Sequence, residues 1–239
     1  MKTLPFLLLL ILIGFESVYG QDTIVNSKAG TFTDSRDDHV YKWVNVGNQT
    51  WMAENLAYLP KVSPPTYSSS INSHYYVYDY LGTDPNEAKT TEAYTIYGVL
   101  YNWAAANKSC PIGWHLPTDD EWNKLDFYLS TNSYGFEGSG TKIGKALAFT
   151  SLWYTSEVKG QIGNDQASNN KSGFSAIASG FLKGLTFTYL YSNAHFWSFS
   201  PGEKWYDASM WGLTYSVDNL NWSNHPKSNG SSVRCLKND

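Results

Sequence analysis

Hydrophobic and polar positions alternate over residues 40–46 (Val-Tyr-Lys-Trp-Val-Asn-Val), and a two-residue period of this kind predicts a strand. Gly47-Asn48 then supplies a tight turn, and Gln49-Thr50-Trp51-Met52-Ala53 reads as the returning strand of a hairpin. Ahead of it, residues 30–38 (GTFTDSRDD) are polar and turn-rich, and residues 61–72 (KVSPPTYSSSIN) are a Pro/Ser surface loop with no burying pattern. Residues 74–80 (HYYVYDY) form a second β-prone aromatic run. The period then changes: Tyr97, Leu100, Tyr101 and Ala104 recur at three-and-four spacing beside Trp103, which predicts a helix ending near Asn107, before Pro111. A second helix is announced by Thr118 and Glu121, a capping box. Asp119 and Asp120 sit there in the first turn, and Trp122, Leu125 and Leu129 follow as an apolar stripe.

Residues 142–149 (KIGKALAF) predict a shorter helix weakened by Gly144, and residues 160–173 a long polar loop. From Phe174 onward, short strands are predicted at 174–178, 186–190, 195–200, 211–217 and 232–236, between glycine- or asparagine-rich turns. Helices in the middle and strands at both ends predict an α+β fold with paired N- and C-terminal strands, two or so helices, and a loop-rich late β region.

Composition adds compartment and partner. Lys2, the apolar run at 5–15 and the small residues before Gln21 predict a signal peptide at 1–20. A run of roughly eleven apolar residues is too short for a membrane anchor. With no cysteine at the cleavage point a lipid anchor is not expected, so the chain is read as secreted or held at the extracellular face of the cell envelope, with residues 21–239 as a single domain. Ten Trp and 18 Tyr exceed what a minimal core needs, so some belong to a contact surface. A net charge of -4 argues against a nucleic-acid partner. In an exported chain the two cysteines, Cys110 and Cys235, predict a disulfide. Neither lies in a Cys-x-x-Cys spacing, which leaves the rival reading, a reactive thiol pair, without its signature.

The stretch CPIGWHLPTDDEW at 110–122 concentrates the residues that could pass for a reactive centre. Its three acids are accounted for by a helix start, and His115, with no second ligand at metal spacing, by packing or hydrogen bonding.

GTFTDSRDDHVYKWVNVGNQTWMAENL, YGVLYNWAAA, CPIGWHLPTDDEW, GFSAIASGF, FWSFS and the terminal SVRCLK follow one another in an order that resembles the Fibrobacter succinogenes major paralogous domain family. That family is widespread in secreted proteins of the Bacteroidetes and Fibrobacteres, and the resemblance runs from about Gly30 to the end. It implies a C-type-lectin-like fold, distantly similar to sulfatase-modifying-factor domains through the LPT-x-x-EW motif and a terminal arginine-cysteine strand. A bridge from a cysteine near a helix to one in the last strand is also implied, and Cys110 and Cys235 fit it.

The distant formylglycine-generating relatives oxidise cysteine with paired cysteines close in sequence. That pair is missing here, and Cys235 matches their structural terminal cysteine. Gly-x-Ser-x-Gly and His-Glu-x-x-His are absent, and the five histidines are scattered. No enzymatic activity is therefore expected. Binding is: sugars stack on aromatic faces and hydrogen-bond planar amides and carboxylates, and the late segment offers both. The candidate ligand-binding residues are Trp205, Tyr206, Asp218, Asn219, Asn221, Trp222, Asn224 and His225, with Trp197 and Trp211 expected in the core. The expected partner is a glycan or a surface protein, in a role such as adhesion. The alternative is a structural accessory subunit of a larger envelope or extracellular assembly. No cofactor is expected. Calcium is left open and unsupported, since Glu-Pro-Asn and Trp-Asn-Asp signatures are absent and only Asn164, Asp165, Asn169 and Asn170 gather oxygen donors in one loop. The Asn-x-Ser/Thr triplets at 48, 107, 170, 221 and 229 carry no implied glycans in a bacterial source.

Overall fold

The computed structural model describes residues 28–239, so the expected signal segment at 1–20 lies outside the described residues. Strand β1 (Ala29–Thr33), β2 (Val40–Val46) and β3 (Gln49–Met52) form an antiparallel meander. Val44 and Val46 are buried on one face of β2 and Tyr41 on the other, while Val40 is exposed, so the strand packs against core on both sides; Gly47 takes the positive φ that the two-residue turn needs. Strand β1 was hidden in a stretch that reads as turn. Its Gly30 lies under the Trp43 indole, where a Cβ would come within 2.6 Å of the ring, so this glycine permits close packing across the strand pair.

Strand β4 (Tyr75–Tyr76) pairs with β5 (Leu100–Tyr101), and between them lie α1 (Pro85–Lys89) and α2 (Glu92–Tyr97), capped by Asp84 and Thr91. The helix predicted over 97–107 is corrected here. Gly98, at φ 72, ends α2, the chain extends into β5, and Asn102 caps the one-turn helix α3 (Trp103–Ala106). Asn102 also receives the His74 backbone N–H and donates to the carbonyls of Ser69 and Asn72, which pins the 61–72 loop to the body. The aromatic run at 74–80 shrinks to a two-residue strand.

After β6 (Trp114–His115), α4 (Asp119–Thr131) begins on the predicted capping box and buries Trp122, Leu125 and Leu129. A single turn, α5 (Gly144–Leu147), follows. The late region holds β7 (Ser179–Lys183), β8 (Thr186–Leu190), β9 (Asn193–Pro201), β10 (Asp207–Thr214), β11 (Asn221–Pro226) and β12 (Leu236–Lys237). Residues 174–178 are not a strand, because Ser175 has φ 59 and only Ala176 makes a bridge, to Ala148. The strand expected at 211–217 begins earlier, at Asp207, and the one at 232–236 begins only at Leu236.

Two five-stranded sheets result, ordered β1-β2-β3-β12-β6 and β11-β10-β9-β7-β8. The pairing of chain ends is as expected, since Leu236 lies opposite Trp51 on one side and His115 on the other. Helices and strands are mixed as an α+β chain. Cys110 and Cys235 are disulfide-bonded, with Cα atoms 5.9 Å apart, which fastens the segment after α3 to the one entering β12. Next to that bridge, the fully buried Arg234 donates to the carbonyls of Met52, Phe174 and Ser175 and to Asn55, and its guanidinium lies against the rings of Phe174 and Phe196. Burial lowers its pKa to about 9, still above neutrality, so it remains a cation held by carbonyl oxygens instead of a carboxylate. Among the described residues no helix is long and apolar enough to cross a membrane.

Candidate ligand-binding site

Strands β9 and β10 form a hairpin, and its tip carries Trp205, 82% exposed, and Tyr206, 39% exposed. Their rings meet edge to face with centroids 5.4 Å apart. Lys227, just past β11, latches this tip: its backbone N–H donates to the Tyr206 carbonyl, and its ammonium donates to the Trp205 carbonyl at 2.7 Å. The same ammonium stands 4.6 Å over the Trp103 ring. Trp103 in turn donates its indole N–H to the Ser198 carbonyl in β9. Lys204 reaches over Tyr206, 5.6 Å from the ring centre. Beyond Trp103, a hollow of about 270 Å³ opens between Asn107, Lys108, Trp114 and the exposed Phe199. The sequence pattern singled out Trp205 and Tyr206 but not Trp103, Lys227 or Phe199. Lys227 falls one residue past the segment whose aromatics and amides were selected.

Trp222 is 47% exposed, yet its indole N–H is already committed inward, to Ser209 Oγ and to Asp119 Oδ2 at 3.2 Å. Asp119, the first residue of α4, also accepts from Ser209 Oγ at 2.7 Å and from Trp211 Nε1 at 2.8 Å, while its backbone N–H donates to Ser200 Oγ. The acid read only as a helix-start charge is therefore a clamp between α4 and the face of β10–β11. Trp222 offers a ligand its ring face and no free donor. Trp197 and Trp211 are buried, as expected.

The remaining candidates do not join the hairpin tip. Because β11 runs antiparallel to β10, Asn221 lies opposite Gly212 and Pro226 opposite Asp207. Asp218, Asn219 and Asn221 therefore sit at the far end of the ladder, with several residue steps of about 3.3 Å each between them and Trp205. There Asp218 faces Lys142 at 3.4 Å and accepts from the Gly144 N–H through its carbonyl, and Asn219 donates to Asn221. Asn224 is opposite Ser209, on the face that α4 covers. His225 is turned to the other face, 5.6 Å from His195 and 5.8 Å from Phe181, ring centre to ring centre. Burial, and secondarily the neighbouring His225, bring the His195 imidazole down to about 3. Burial and Lys183 lower His225 as well. These rings are neutral packing partners at pH 7. The eight candidates thus divide between a tip, a clamped face, a half-buried ring cluster and a distant turn.

His115 is hydrogen-bonded on both sides, to Asn238 Oδ1 at 2.7 Å and Glu121 Oε1 at 2.9 Å. In the loop considered for calcium, Lys145 is buried and its ammonium donates to the carbonyls of Asn164 and Asp165, while Asn169 and Asn170 donate through their amides. A side-chain cation therefore holds two backbone oxygens of that turn. Among the described residues no three His, Cys, Asp or Glu side chains converge as a metal-binding group. A larger hollow of about 570 Å³ lies against β1 and β2, walled chiefly by Trp43, Val44, Phe149 and Ile177. Lys42 and Glu54 stand at its rim, where Glu54 accepts the Lys42 backbone N–H.

The family model described as Fibrobacter succinogenes major domain matches residues 44–237. No curated protein and no solved structure matches the chain.

Proposed function

Since the chain belongs to the Fibrobacter succinogenes major domain family, whose description names no activity, its role has to come from its surface, and we propose a non-catalytic recognition module that binds a glycan through the β9–β10 hairpin tip. The observation that carries the reading is Trp205. An indole exposed over 82% of its surface costs apolar hydration, yet the backbone that carries it is tied by Lys227 to the carbonyls of Trp205 and Tyr206, and the ring itself meets Tyr206 edge to face. A pre-positioned ring with an open face suits stacking on the C–H face of a sugar. The mature chain is proposed to be exported and to act outside the cell or on its envelope. The disulfide is compatible with that compartment. A C-type-lectin-like topology is proposed as the scaffold, supported by the pairing of β12 with β3 and by a bridge from near a helix to the last strand.

Glycan-array screening of residues 21–239, wild type beside Trp205→Ala, tests the reading. Saturable binding that Trp205→Ala abolishes is the expected result, and an array pattern unchanged by the substitution overturns it. A structural-subunit role is a second reading, favoured by β11: over Asn221–His225 this edge strand carries no Lys, Glu, Asp or Pro to discourage a further strand, and Pro226 closes its end. Stoichiometric co-purification of a protein partner, lost on introducing Lys at Ser223, would favour it over the glycan reading.

A further inference from the structure

We infer that the glycan taken by the hairpin tip is acidic, with its carboxylate or sulfate groups received by Lys227, Lys204 and Lys108 and its sugar rings lying on Trp205 and Phe199. The inference rests on the glycan reading and adds the charge class of the ligand. Contacts connect these groups into one surface. Lys108 and Phe199 line the same hollow, the Trp103 indole bonds the carbonyl just before Phe199, Lys227 stands over Trp103, and Lys227 holds Trp205.

The donor and acceptor inventory decides the class. An ammonium has three N–H donors and no acceptor. Lys227 commits one donor to Trp205, and its others stay available at the rim of the tip. A neutral sugar, whose hydroxyls donate as readily as they accept, is held by planar amides and carboxylates. Asp218, Asn219 and Asn221, which could serve that way, stand at the opposite end of the β10–β11 ladder. Asp119 is saturated by Ser209, Trp211 and Trp222, and Asp207 is buried. Within the tip, residues 202–206, Glu203 is the acid, beside Lys204. Asn107 also lines the hollow, but its Oδ1 is buried, so what faces the ligand is rich in donors and poor in acceptors, and the ligand supplies the acceptors. A local lysine grouping on a chain of net charge -4 is also not a by-product of a basic surface. The rings exclude a purely ionic reading: Trp103 spends a face on Lys227, but Trp205 remains open to stack.

Calorimetric titration of residues 21–239 with oligogalacturonate, oligoalginate and dextran sulfate, each beside its neutral counterpart (methyl ester or unsulfated dextran), tests this. At least one acidic oligomer is expected to bind about tenfold or more tighter than its neutral form, and to weaken as salt rises. Lys204→Gln and Lys108→Gln should each weaken it about three- to tenfold, and Glu203→Gln should tighten it. Both lysines are exposed, so unchanged thermal midpoints are expected to accompany those losses. Equal binding of acidic and neutral forms overturns the charge class while leaving the glycan reading intact. Silence towards every acidic and neutral oligomer overturns both. Polyglutamate binding as tightly as the sugars, and unaffected by Trp205→Ala, would show that charge alone is read and would also overturn the inference.

Discussion

Asp119 is the residue on which the late strands depend, because one carboxylate receives Ser209, Trp211 and Trp222. Removing it leaves those donors facing a covered surface, and Asp119→Ala is expected to cost about 2–4 kcal/mol, read from urea unfolding. Trp222→Phe, which removes one donor, should cost about 1 kcal/mol. Such a dependence was not legible in the pattern, since the partners lie 90 to 103 residues apart in the chain. What was legible was exposure: Trp205 and Tyr206 adjoin turn-forming residues, and Trp197 and Trp211 sit inside strands. Trp222 also adjoins a turn, but its indole edge is taken, which makes Trp205 the cleaner probe of binding. At the same scale, His195 predicts an acid sensitivity. Its pKa falls from 6.5 to about 3 on folding, so between those values the unfolded chain takes up a proton that the folded chain declines. Stability therefore drops as pH falls through 6.5 and continues to drop towards 3, by about 2 kcal/mol at pH 5 from this ring alone. The unfolding free energy of His195→Phe should fall less steeply over pH 6.5 to 5 than that of the wild type. An equal slope would show that the ring is not buried neutral.

Elements were legible where periodicity was strong and local. β2 falls at Val40–Val46, as the alternation predicts, and α4 starts on its capping box. They failed where a backbone conformation overrode the pattern. Tyr97, Leu100, Tyr101 and Ala104 have helical spacing, but Gly98 adopts φ 72 and ψ -143 with its Cα facing the Leu56 carbonyl, and the chain leaves the helix there. Gly98→Ala would place a Cβ 2.9 Å from that oxygen and impose an unfavourable φ on an L residue. A loss of about 2 kcal/mol or more is expected in thermal or chemical unfolding. β1 was missed for a related reason: Gly30 reads as a turn residue, whereas it serves Trp43 packing across a sheet. The candidate site divided because register, unknown from one sequence, sent Asp218 and Asn219 to one end of the β10–β11 ladder and Trp205 to the other.

Over the whole molecule, chain ends are brought together twice, by β12 sitting between β3 and β6 and by the Cys110–Cys235 bridge spanning 125 residues. Both were legible, one from strands at each end and one from cysteine count. Their consequence is measurable: the Cys110→Ser, Cys235→Ser double variant should lose about 4–5 kcal/mol in the chain-entropy limit, read from denaturant midpoints. The tip it leaves intact lies on the β9–β10 hairpin, whose position depends on Asp119 and Lys227 instead of the bridge. The central claim, that the open Trp205 ring is a binding element, is met most directly by titrating wild type and Trp205→Ala with one array-positive oligosaccharide at equal thermal stability. A loss of affinity of about tenfold or more, with the melting midpoint unchanged, is predicted. Equal affinities would contradict the account.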